Sequence, residues 1–98
     1  MNYDQATALP ESSPTQAQLD AARKECFTKY INRDSNYSRF IRELNSTDAV
    51  VAVAFDPKTG NLGSPVVIYK NSFEMYDAIY AKRGQRVLRL DMSIPPTP

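Results

Sequence analysis

Ala49-Val50-Val51-Ala52-Val53-Ala54-Phe55 is a run of seven residues with no charge and no hydrogen-bonding side chain. Valine and phenylalanine favour extended backbone. A strand of this make-up has no face to offer water, so it belongs in the middle of a sheet, covered on both sides. It is also far short of the roughly 18 apolar residues of a membrane span, as is every other apolar run in the chain.

Downstream of this strand, Asp56-Pro57-Lys58-Thr59-Gly60 is a turn. Aspartate opens it, proline presets φ at the next position, and glycine accepts a positive φ. Together with Asn61-Leu62-Gly63-Ser64-Pro65 it makes the loop of a β-hairpin whose second strand is Val66-Val67-Ile68-Tyr69. A helix is expected over residues 72–83, opened by a capping box of Asn71 with Glu74 or by Ser72, and closed by Gly84 as a left-handed cap. Phe73, Met75, Tyr76, Ile79 and Tyr80 fill an arc of about 160° at 100° per residue, wide enough to lie on a sheet. The last strand spans residues 86–92, with Leu88, Leu90 and Met92 on one face and Val87, Arg89 and Asp91 on the other.

Upstream, Ser13 is placed to cap a helix with Pro14 in its first turn and Gln16 reaching back, and that helix runs to about Asn32. Leu19, Ala22, Cys26 and Tyr30 form its apolar stripe, with Phe27 and Ile31 beside it. Arg23 falls between these groups. Its stem is expected to cover apolar surface while its head stays in water; the sharper alternative is an arginine facing a ligand at a helix seam. Tyr37, Phe40, Ile41 and Leu44 mark a second helix over residues 35–45.

The element order is therefore α-α-β-β-α-β. A crossover from the second strand through the third helix sets the last strand on the free side of the first. The expectation is an α+β domain with a three-stranded antiparallel sheet of order 2-1-3, packed by helices. Residues 1–13 read as a disordered tail, 14–92 as one domain, and 93–98, with three prolines, as an extended tail that cannot continue a ladder. The PxxP spacing of Pro95 and Pro98 has no flanking arginine and reads as a chain stop.

The chemistry is defined largely by what is missing. Ninety-eight residues contain no histidine, which removes the commonest general base and metal ligand. One cysteine can build neither a disulfide nor a Cys/His zinc site within the chain, and Cys26 lies in the helical core stripe, where an inert thiol is expected. Asp20, Glu25, Asp34, Glu43, Glu74 and Asp77 read as solvated or capping charges, and Gly60-Asn61-Leu62-Gly63 joins two strands where a phosphate loop would open a helix. No enzyme, metal or cofactor is expected. The start of the chain, Met1-Asn2-Tyr3-Asp4-Gln5, has neither a basic nor an apolar leader region, so the expected compartment is the cytoplasm.

Twelve basic against eleven acidic residues leave a formal charge of +1, too little to indicate a dedicated polyanion binder. Two surfaces remain as candidates. One is the strand formed by Val66, Ile68 and Tyr69 with Lys70 at its end, an apolar edge that invites β-augmentation by a larger protein or pairing in a homodimer. The other is a basic corner of Lys82, Arg83, Arg86 and Arg89 with Tyr76 and Tyr80 nearby, which could hold phosphates and stack bases. The reading is a small non-enzymatic adaptor or inhibitor of a larger protein, of the kind carried by phages or mobile elements. Nucleic-acid binding through residues 76–89 is the alternative.

Overall fold

The computed structural model describes residues 13–30 and 37–94. Its elements are α1 (Gln16–Tyr30), α2 (Tyr37–Ser46), β1 (Ala49–Asp56), β2 (Asn61–Leu62), β3 (Val66–Tyr69), a 3-10 turn (Lys70–Ser72), α3 (Phe73–Ala81) and β4 (Arg86–Leu90). The sheet has β1 at its centre, antiparallel to β3 on one side and to β4 on the other. This is the expected 2-1-3 order, with the two-residue β2 as an addition. Because β3 and β4 run the same way on either side of β1, β3-α3-β4 is a split βαβ unit.

The central strand is as dry as its composition requires. Val50, Val51, Ala52, Val53 and Phe55 are all buried, and each fully buried valine contributes about 1.5–3 kcal/mol relative to exposure. One face of the sheet, through Val51, Val53, Leu90 and Met92, forms a single core with Ala22 and Cys26 of α1 and Phe40 of α2; Leu88 packs against it from β4. The other face carries Val50, Ala52, Ala54, Val66 and Val87, and α3 lies there. Two helices below and one above make three layers.

The hairpin differs from expectation in an informative way. Asp56 Oδ1 accepts from the Lys58 amide at 2.9 Å, the Gly60 amide closes on the Asp56 carbonyl at 2.8 Å, and Gly60 has φ 77°. The turn is therefore complete at Gly60, and the ladder resumes at once, with Asn61 opposite Asp56 and Leu62 opposite Phe55. Residues 61–65 are not all loop. Three residues, Gly63, Ser64 and Pro65, then oppose the two residues Val53 and Ala54 before Val66 pairs with Ala52. This is a bulge with one extra residue. The Gly63 amide donates to the Ala54 carbonyl at 2.8 Å, and Pro65, which has no N–H to offer, is fully buried.

Helix ends also moved. The cap of α1 is Thr15, not Ser13: the Thr15 hydroxyl accepts from the Gln18 amide at 3.0 Å, and the Gln18 carboxamide accepts from the Thr15 amide at 2.9 Å. That reciprocal pair leaves Pro14 just outside the first turn. Gln18 Nε2 donates onward to the Gly60 carbonyl at 2.7 Å and ties α1 to the hairpin turn. The expected end of α1 near Asn32, the side chain of Tyr30, Ile31 and the start of α2 at residue 35 lie outside the described residues, as do tail residues 1–12 and 95–98. At the start of α3 neither Asn71 nor Ser72 caps with its side chain, because the 3-10 turn feeds straight into the helix and the Phe73 amide donates to the Lys70 carbonyl. At its end Gly84, φ 77°, completes a Schellman motif: Gly84 N–H to Ala81 and Gln85 N–H to Tyr80, both at 3.0 Å.

Candidate functional site: the two edges of the sheet

Ladder parity decides which backbone groups the outer strands turn outward. The Lys70 amide donates to the Asp48 carbonyl at 2.9 Å and the Gly63 amide to that of Ala54. Even-numbered residues of β1 therefore bond toward β3, and odd-numbered ones toward β4. On β3 this places Val66 and Ile68 inward and turns the N–H and C=O of Val67 and Tyr69 to the outside. On β4 it turns Val87, Arg89 and Asp91 outward.

The β4 edge is capped by side chains at its two ends. Asp77 of α3 accepts the outward Val87 amide at 2.9 Å and also holds Arg86, at 3.3 Å from Nε and 3.2 Å from the terminal nitrogen. These bonds keep the Asp77 carboxyl below its ordinary pKa, the Arg86 side chain contributing most. At the other end Arg23 Nε donates to the Asp91 carbonyl at 2.9 Å. Arg23 is only 7% exposed, so it neither snorkels to water nor faces a ligand; it is a backbone cap. The same end is tied further by Asp91, which accepts from the Ser93 hydroxyl at 2.6 Å and the Ser93 amide at 3.0 Å and is thereby held below the usual carboxylate range. Tyr37 donates to the Ile94 carbonyl at 3.1 Å and stacks on Phe27 with ring centroids 5.7 Å apart; burial raises its pKa.

The β3 edge carries no such cap. Among the described residues, nothing bonds the outward N–H and C=O of Val67 or the N–H of Tyr69, whose C=O opens the 3-10 turn, and beside them runs a groove of about 330 Å³ lined by Thr47, Ala49, Val67, Ile68 and Tyr69. Tyr69 is 69% exposed. Lys70 ends the strand, 3.8 Å from Asp48. The apolar arc expected on α3 is split: Phe73, Tyr76 and Tyr80 turn to the sheet, whereas Met75 and Ile79 are 65% and 46% exposed. Asp77 points to β4, and at about 100° per residue Met75 and Ile79 occupy the opposite flank.

The residues of the basic corner fall into three places. Tyr76 and Tyr80 lie together, centroids 5.0 Å apart, with Arg83 stacked 5.5 Å over Tyr80. Both tyrosines line a cleft of about 440 Å³ between α3 and the hairpin, with Asp56, Asn61 and Gln85. Arg86 is engaged by Asp77. Arg89 stands at the other end of the face, in a cleft of about 490 Å³ with Lys70, Glu74 and Phe73. Lys82 is exposed just beyond α3.

Cys26 is fully buried and its pKa is raised to about 11 by burial, which suits an inert core thiol. Among the described residues no group of three His, Cys, Asp or Glu could hold a metal ion, and no helix is long and apolar enough to cross a membrane. Comparison with known protein families, curated proteins and solved structures finds no match to this chain.

Proposed function

We propose that this chain is a protein-binding module, an adaptor or inhibitor, that takes up an extended segment of its partner along the outer edge of β3. The observation that carries the reading is the open, apolar outer edge of β3 with its adjoining groove. Side chains from α1 and α3 hold the two ends of the β4 edge, while on β3 the N–H and C=O of Val67 and the N–H of Tyr69 have no partner among the described residues, beside apolar Ile68 and the exposed Tyr69 ring. Backbone bonds supply affinity in such an addition, and alternating side chains supply selectivity. Ile68→Lys and Arg86→Ala, one on each edge, test it in pull-downs from the host lysate after nuclease treatment. Capture lost with Ile68→Lys and kept with Arg86→Ala is expected; capture indifferent to Ile68→Lys overturns the reading.

Single-stranded nucleic acid is the second reading, favoured by Tyr76, Tyr80 and Arg83 around one open cleft. It requires an oligonucleotide affinity that falls steeply with salt and is lost in Arg83→Ala.

A further inference from the structure

We propose that the cleft between α3 and the hairpin binds a guanidinium group, the side chain of an arginine. It lies on the α3 face of the sheet and uses neither Ile68 nor Tyr69, so it stands or falls apart from the edge-binding reading above.

Strand register builds the cleft. On the α3 face the even-numbered residues of β1 end in Ala54 and Asp56, and Asn61 directly opposes Asp56 across the hairpin, so its side chain shares that face. Ala54 is too small to fill the space beneath α3, and Gly63 and Ser64 of the bulge add no large side chain. A hollow of about 440 Å³ is left. Tyr76 and Tyr80, one helical turn apart, wall it with rings inclined at 49° to each other. Gln85, just before β4, brings a second carboxamide.

Among the described residues that line this cleft, Asp56 alone is charged. Its Oδ1 accepts the Lys58 and Thr59 amides at 2.9 and 3.4 Å, while Oδ2 takes no bond from any described residue. Arg83, over the Tyr80 ring, and Arg86, held by Asp77, do not line the cleft. A carboxylate with a spare oxygen, two aromatic rings and two carboxamide oxygens match a cation that is flat and rich in donors. A guanidinium holds its N–H groups in one plane, bonds a carboxylate through its edge and lies on a ring through its face. An ammonium has no such face. A phosphate would meet the Asp56 charge with no basic group lining the cleft to offset it.

NMR of the full chain tests the site, with four probes titrated separately: the capped tripeptide acetyl-Gly-Arg-Gly-amide, its lysine counterpart, free L-arginine and adenosine monophosphate. The arginine tripeptide should shift the side-chain amides of Asn61 and Gln85 and the ring signals of Tyr76 and Tyr80 together, and the shifts should saturate. Asp56→Asn keeps a side-chain oxygen for the turn amides, so the remaining spectrum should stay folded while affinity falls about tenfold with loss of the charge-assisted pair. Tyr80→Leu should weaken binding as well. Tighter binding of free L-arginine than of the tripeptide assigns the site to the amino acid and leaves the guanidinium in place. Absence of a saturating shift with either arginine probe overturns the proposal, as does an affinity unchanged in Asp56→Asn. It is also overturned if the lysine tripeptide or the nucleotide binds as tightly as the arginine probes. Ile68→Lys, which tests the β3 edge, should leave these titrations unchanged.

Discussion

β3 and β4 flank the same central strand, run in the same direction and are nearly equal in length, four residues against five. Their outer sides are held differently. On β4, α3 lends Asp77 to the first outward amide and α1 lends Arg23 to the last outward carbonyl. On β3 the chain has only just left the hairpin and enters α3 through a 3-10 turn, so no preceding or following helix lies alongside to supply a cap. The lesson is that an exposed edge is protected by side chains that happen to reach it, and not by its own composition. Arg89 makes β4 the more polar strand, and the two caps on either side of it hold the ends of that edge.

The largest disturbance of this contrast should come from Arg23→Ala. It removes a buried side chain together with a charge-assisted bond to the Asp91 carbonyl, and an expected loss of about 2–3 kcal/mol should appear as a lower urea midpoint. An unchanged midpoint would mean that Arg23 closes nothing.

Asp77→Ala should cost less, about 1–2 kcal/mol, because the carboxylate is only partly buried. It frees the Val87 amide, so that amide should exchange faster with solvent, while the amides of Val67 and Tyr69 keep their rate. Acid should reproduce part of this effect in the native chain. Asp77 has a lowered pKa when folded, so its contribution is complete above the ordinary carboxylate value of about 3.9 and is lost as pH falls through the lower folded value. The Val87 amide chemical shift followed on acid titration should report that loss.

Tyr69→Ser should do least to the isolated fold, under about 0.5 kcal/mol, since the ring is mostly in water. Its effect should appear in association through β3. If thermal stability drops sharply and association is unchanged, the ring belongs to the fold and the open-edge description of β3 is wrong.

The architecture was legible because seven apolar residues in a row admit one place in a small sheet. Asp56, Pro57 and Gly60 likewise announced the turn, and Gly84 the end of α3. The bulge was not legible. Gly63, Ser64 and Pro65 have the composition of a loop, and only the register of the strands shows that they sit within an interrupted ladder. The caps of β4 were hidden for a related reason. On a helix, Asp77 has the look of one more solvated carboxylate and Arg23 of a snorkelling base, because the acceptor or donor of each is a backbone group more than nine residues away. The β3 edge itself was readable from its apolar residues.

β3 and β4 lie on opposite rims of the sheet, so what happens at one rim leaves the other untouched. Any strand that adds to β3 leaves Asp77 and Arg23 on the far rim, still holding the β4 backbone.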